Sequence, residues 1–259
     1  MSIDFLFRER VYTLSDRTIL QYHRMLFNIF KDAEYDGFIE TNIMHRIRPP
    51  RLTDNNEARS LDKEDAEKVM NSLKNCGEYP YSYLLRLIVY TGLRRGEVCG
   101  LEWQDVDFEN NTITVCRSSY YLPQVGIYTD TPKTKQSQRT LAFGQKVADI
   151  LHEVKEYQQA QGSDWNVSGR IFTYADGSIF NPNSVTKYFH KFVEQYELPQ
   201  CSVHTLRHTN ASLMIANNTP ITTVSGRLGH SNPEITFRYY AHQISEENRK
   251  AANAIEELI

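Results

Sequence analysis

S-V-H-T-L-R-H-T-N-A-S, residues 202–212, sets His204 and Arg207 three positions apart. If residues 204–217 form one helix, both side chains leave the same face, and a cation and a proton carrier can address one bound group. Downstream, Pro220 interrupts the pattern and a short apolar helix is expected over residues 221–228. Gly229 would end it in the left-handed conformation and present His230. Asn232 and Pro233 then read as the N-cap and first residue of a helix carrying Tyr239 and Tyr240. Neither Cys nor a carboxylate accompanies these histidines at metal-ligand spacing, which argues against zinc. Arginine, histidine and tyrosine together suit phosphate chemistry with no metal and no cofactor.

Upstream, T-G-L-R-R-G-E at residues 91–97 offers a second cationic element. Gly92 permits a tight turn, and Arg94 falls at the first turn of the following short helix, where unpaired N–H groups and a partial positive charge suit a phosphate. Alone, Arg94 would read as a surface arginine paired with Glu97; with Arg207 downstream, phosphate binding is the better reading. Arg95 is expected to face outward. T-P-K-T-K-Q-S-Q-R, residues 131–139, adds Lys133, Lys135 and Arg139 on a polar stretch leading to a strand.

Together these motifs resemble those of the tyrosine recombinases, the phage-integrase family, whose pattern runs H-x-L-R-H, then L-G-H, then a tyrosine near a final Y-x-H. The resemblance extends from about residue 60 onward. It implies a recombinase catalytic domain with Arg94, Lys135, His204, Arg207, His230 and Tyr240 as catalytic residues. Glu97 would be the acidic support, and Arg95, Lys133 and Arg139 would approach DNA. Lys135 is favoured over Lys133 by its distance before Arg139, and Tyr240 over Tyr239 because it directly precedes Ala241 and His242. His208 is assigned a structural role. Two positions depart from the family pattern: Thr205 stands for the acidic residue of H-D-L-R-H, and Asn210 for a small or basic residue after R-H-T. The implied activity is a site-specific recombinase or integrase of a mobile element. It would act on double-stranded DNA as a homotetramer, through a 3′-phosphotyrosyl intermediate, without metal or ATP. A type IB topoisomerase, or a non-catalytic DNA-binding regulator on the same scaffold, are the alternatives.

At 259 residues and 40% hydrophobic content, the chain can bury one full core and a smaller one. The fold class expected is mainly α with small β-hairpins. Residues 47–57, with two prolines among basic and polar residues, read as a linker. The division expected is residues 1–52, resembling part of a helical core-binding domain, and residues 53–259, the catalytic domain with a tail helix at 245–259. In the first, Ser15 should cap a helix burying Ile19, Tyr22, Leu26, Ile29, Phe30 and Ala33, with Gly37 as its end. In the second, Ser60 should cap a helix burying Ala66, Val69, Met70 and Leu73, followed by an apolar helix over 81–90. A hairpin turning at Asn110 and Asn111 comes next, then a polar extension over 122–138 and a strand at 139–143. Helices are expected over 144–161 and from Asn181 and Pro182 to 196, with a short hairpin at 171–180 between them.

The formal charge of −3, from 29 Lys and Arg against 32 Asp and Glu, argues mildly against nucleic acid. Basic residues gather locally, however, at 46–51, 94–95 and 133–139, so a positive groove can coexist with an acidic exterior. Cys76, Cys99, Cys116 and Cys201 show no paired spacing and are expected as reduced thiols. With no signal-like segment and no membrane-length apolar run, a cytoplasmic protein with no membrane partner is expected.

Overall fold

Ser15 accepts a hydrogen bond from the Thr18 amide at 3.2 Å and so starts the first helix, α1 (Asp16–Tyr35). The computed structural model describes residues 14–50, 60–130, 138–162 and 165–229. The chain separates into two compact units, residues 1–57 and 58–259. In the first unit α1 ends as expected just before Gly37, which takes φ +76°. Its inward face differs from the stripe read in the sequence: Ile19 and His23 are buried, whereas Tyr22 and Ile29 are 46% and 53% exposed. The cause is the segment that folds back onto α1. Asn42 donates to the Phe27 carbonyl at 3.1 Å and accepts from the Met44 amide at 2.9 Å, which starts a 3₁₀ turn over Ile43–Arg46. Met44 is thereby buried, His45 packs edge-on to Phe27, and His23 Nε2 bonds the Ile47 carbonyl at 3.0 Å. Positions 19, 23 and 27 form one i, i+4, i+8 row, and that row meets the returning chain.

In the second unit α2 (Lys63–Cys76) is capped by Asp62 rather than by Ser60, with Asp62 Oδ1 accepting from the Asp65 amide at 2.8 Å. Residue 61 is still outside the helix because the Leu61 amide donates to Thr209 Oγ1 at 3.0 Å while its side chain is buried. Ala66, Val69 and Leu73 face inward and Met70 is half-buried. α3 (Tyr81–Thr91) is buried on most sides and packs against α2, against α5 (Gln145–Ala160) and against α7 (Val203–Ala216). Leu84, Leu87, Ile88, Ile113, Leu151 and Phe172 are all fully buried in the central cluster built around it.

Strands β1 (Val106–Asp107), β2 (Thr112–Val115) and β5 (Arg139–Ala142) form a three-stranded antiparallel sheet in the order β1-β2-β5. The first hairpin turns at Asn111, with φ +51°. Residues 122–130, expected as part of a polar extension, instead complete a second hairpin of β3 (Ser118–Leu122) and β4 (Gly126–Asp130), with Tyr120 opposite Tyr128. Its turn uses positive φ at Gln124 and Gly126, and Gln at such a position carries little sequence signal. The hairpin over 171–180 is reduced to one bridge, Thr173 with Ile179, closed by Gly177.

A short helix, α4 (Arg95–Gly100), lies close under β3: a Cβ at Gly96 would stand 2.5 Å from Ser118 Oγ and 2.8 Å from the Ser119 carbonyl. α6 (Pro182–Gln195) has the expected Asn181 cap and Pro182 at its first position. α8 (Ile221–Leu228) packs on α7 through a separate small cluster of Ala211, Ile215, Val224 and Leu228. The four cysteines are free thiols, and among the described residues no helix is long and apolar enough to cross a membrane.

Candidate active site

Gly92 and Gly229 are the two backbone positions on which the site depends. Gly92 caps α3 at φ +69°, and a Cβ there would meet Asn210 Oδ1 at 2.5 Å and Leu228 Cδ2 at 2.9 Å. Gly229 caps α8 at φ +66°, and a Cβ there would stand 2.5 Å from Arg139 Nη1. Both positions need left-handed backbone and neither has room for a side chain.

Just after Gly92, Arg94 is the N-cap of α4, where Glu97 closes a capping box by accepting from the Arg94 amide at 2.8 Å. The Arg94 guanidinium donates from Nη1 to Glu97 Oε1 at 2.9 Å and from Nη2 to the Gly229 carbonyl at 3.0 Å. The Arg94 side chain remains 43% exposed toward the cleft described below. Arg139, expected to reach DNA, turns into the protein instead. It donates to Glu97 from Nη1 at 3.0 Å and from Nη2 at 2.7 Å, and from Nε to the Arg227 carbonyl at 2.9 Å. Burial of Glu97 acts to raise its pKa, but the hydrogen bonds and charge of Arg139, followed by those of Arg94, outweigh it and hold the carboxylate below its ordinary value.

On α7, Ser202 and Thr205 cap each other's amides at 3.1 Å, so the threonine that departs from the H-D-L-R-H pattern serves the helix start. Arg207, only 3% exposed, donates to the Gly92 carbonyl at 2.6 Å and to the Leu228 carbonyl at 2.7 Å. Asn210, the other departure, bonds the Val89 and Tyr90 carbonyls at 2.8 and 3.1 Å and ties α7 to the end of α3. His204 packs edge-on against His208 with ring centres 4.5 Å apart. Burial first, then the Arg207 and Arg94 charges, push the His204 pKa below its ordinary 6.5.

These elements surround a cleft of about 360 Å³ lined by Leu93, Arg94, Arg95, Gly96, Thr186, Ser202, Val203, His204 and Arg207. Arg95 bonds Thr186 Oγ1 across it, and α6 thereby supplies a lining residue that the sequence reading missed. Nothing local marks Thr186, since its role comes from a partner 91 residues away. None of the described lining residues is acidic, so the cleft suits an anion. Among the described residues no cluster of His, Cys, Asp and Glu could hold a metal ion. Lys133, Lys135, His230, Tyr239 and Tyr240 lie outside the described residues, as does the tail helix expected over 245–259.

The lowered His204 pKa has a measurable consequence. As pH falls, the unfolded chain takes up this proton before the folded one, so the stability held by neutral His204 is present above pH 6.5 and lost below it. Thermal midpoints should therefore decline as pH falls below 6.5, and His204→Gln should flatten that part of the profile. An unchanged slope in the variant would remove His204 as the source. Glu97, also depressed, adds a second loss only below its ordinary 4.5.

The arrangement has relatives. The chain is 28% identical to a tyrosine recombinase XerC-like protein of Caldanaerobacter subterraneus subsp. tengcongensis, over 94% of this chain and 67% of that protein. It is 29% identical to the integrase of Staphylococcus phage L54a, over 65% of this chain and 49% of the integrase, and so spans about half of that protein's length. In fold it matches the Tn1549 transposon integrase in complex with circular intermediate DNA, with a TM-score of 0.82 at 24% identity, covering 97% of this chain and 84% of that one. The phage integrase family model matches residues 59–247, a span that takes in both arginine segments, the Gly229 turn and Tyr240. A match of that extent, joined to this fold and this cleft, means that the chain belongs to the phage integrase family.

Proposed function

We propose that this chain is a site-specific DNA recombinase that cuts and rejoins strands of double-stranded DNA through a 3′-phosphotyrosyl intermediate, acting as a tetramer. The observation that carries the reading is the cleft onto which Arg94, Arg207 and His204 converge, with no acid among its described lining residues. A phosphodiester seated there would have its non-bridging oxygens opposite guanidinium groups, whose planar forks give charge-assisted, oriented hydrogen bonds. Such preorganised cations stabilise the charge that develops at phosphorus, the task a metal performs in other phosphoryl-transfer sites. Tyr240 Oη attacks phosphorus and the bond from phosphorus to O5′ breaks. The tyrosine proton passes to His204, whose lowered pKa favours the neutral ring that can accept it. Lys135 gives a proton to the departing 5′ oxygen. His230 hydrogen-bonds the phosphate or positions the nucleophile. Because the phosphotyrosyl link conserves the energy of the broken bond, rejoining needs no ATP.

The test is incubation with a nicked suicide duplex carrying the element's end sequence, with EDTA present, followed by peptide mapping of any covalent adduct. An adduct on Tyr240 is expected. Mapping to Tyr239 would move the nucleophile by one residue and reverse that assignment. Adduct formation with relaxation of supercoiled DNA but no partner exchange would favour a topoisomerase. No adduct at either tyrosine would overturn the mechanism.

A further inference from the structure

The last turn of α8 leaves three consecutive carbonyls for outside donors, and each is taken by an arginine from a different element. The Gly229 amide closes the turn onto the Ser225 and Gly226 carbonyls. The Arg227 carbonyl accepts from Arg139 of β5 at 2.9 Å, the Leu228 carbonyl from Arg207 of α7 at 2.7 Å, and the Gly229 carbonyl from Arg94 at 3.0 Å. A helix C-terminus suits this task, because its last carbonyls lack intrahelical partners and carry partial negative charge.

From this geometry we infer that the 227–229 turn sets the register of the site's arginines, and that Arg139 is a positioning residue for Arg94, acting through Glu97. Glu97 can aim Arg94 only if its own carboxylate is held. Each of its oxygens accepts one bond from Arg94 and one from Arg139: Oε1 from Arg94 Nη1 and Arg139 Nη1, and Oε2 from the Arg94 amide and Arg139 Nη2. The bidentate fork fixes the carboxylate plane, which a lysine at 139 could not do. Arg139 also opens β5, four residues after Lys135, the lysine read as catalytic. Gly229 belongs to the same device, since its missing side chain leaves the space that the Arg139 guanidinium fills.

The role in catalysis rests on the recombinase reading, but the positioning claim has a readout independent of cleavage. Among the described residues, the charged groups facing the Glu97 carboxylate are Arg94 before α4 and Arg139 of β5; Arg227 of α8 turns its own guanidinium to the Ala142 carbonyl. In the DNA-free protein, Arg139→Gln and Arg139→Lys should both raise the Glu97 titration followed by carbon-13 NMR of the side-chain carboxyl, with Gln giving the larger shift. Unchanged titration in both variants would overturn the inference, whatever the cleavage activity. With the nicked duplex, both variants should lose roughly tenfold or more in adduct rate, bind DNA within about twofold of the parent, and shift the acid limb of the rate profile to higher pH. In a Glu97→Gln background, Arg139→Gln should cost little further, because the two act as one unit. A drop in affinity with a salt slope reduced by about one, and an unmoved acid limb, would make Arg139 a phosphate contact instead. A loss of thermal stability alone, with both profiles unmoved, would reduce it to scaffold. If the parent protein forms no adduct, the recombinase reading fails, while the titration still decides the role of Arg139.

Discussion

Arg207→Lys is expected to lower adduct formation by roughly 100- to 1000-fold, the range for losing a preorganised donor at a charge-developing centre. Lysine keeps the charge but not the planar fork, so one ammonium would have to replace a guanidinium that reaches both the Gly92 and Leu228 carbonyls. Those carbonyls belong to the two glycine turns that carry Arg94 and lead to His230. Arg207 is 3% exposed, so a carbonyl left without its donor stays away from water, at a cost of about 1–3 kcal/mol of stability. Arg94→Lys separates the two effects. Its side chain is 43% exposed, so the same catalytic loss should come with a thermal midpoint close to the parent's. Adduct assays and thermal melts on the two variants check this. Near-parental cleavage in either would remove that arginine from the mechanism, and equal stability loss in both would mean that burial does not distinguish them.

Gly229→Ala should be the second most damaging change, with adduct formation falling about 100-fold for a displacement of the reacting geometry near 1 Å. Two costs combine. A side chain at φ +66° carries left-handed strain of roughly 1–2 kcal/mol, and its Cβ would lie 2.5 Å from Arg139 Nη1 and 2.7 Å from Cζ. The guanidinium is the far end of a long side chain and can move, but moving it breaks the fork on Glu97 and the bond to the Arg227 carbonyl. Gly226→Ala is the control, in the same helix. It has ordinary φ and no described residue within 4 Å of an added Cβ, so alanine there should leave cleavage unchanged and stabilise the helix by about 0.5–1 kcal/mol. If Gly226→Ala impairs cleavage as much as Gly229→Ala, the effect comes from the helix as a whole and not from the arginine register.

The features legible in the sequence are those governed by residues within a few positions of each other. Ser15 capping α1, Pro182 opening α6, Gly92 closing α3 and Gly229 closing α8 each follow from one residue's backbone preference or one short-range hydrogen bond. His204 and Arg207 share a face through helical spacing alone, and both line the cleft with Arg94. What only the tertiary structure decided is which partner each polar group takes. Tyr22 and Ile29 fit an apolar stripe by spacing, yet α1 buries the row through Ile19 and His23 because that row meets the segment returning at Asn42. Leu61 stays outside the helix, and Asp62 becomes the cap, because Thr209, 148 residues later, claims the Leu61 amide. Asn210, a departure from the family pattern in sequence, is the clip between α7 and the end of α3. Arg139 looked like one more cation on a basic stretch. Its function is set by Glu97, 42 residues earlier, and by a carbonyl 88 residues later. Local rules assign a helix its ends, but a guanidinium's hydrogen bonds go to whichever acceptors the packed core brings within about 3 Å.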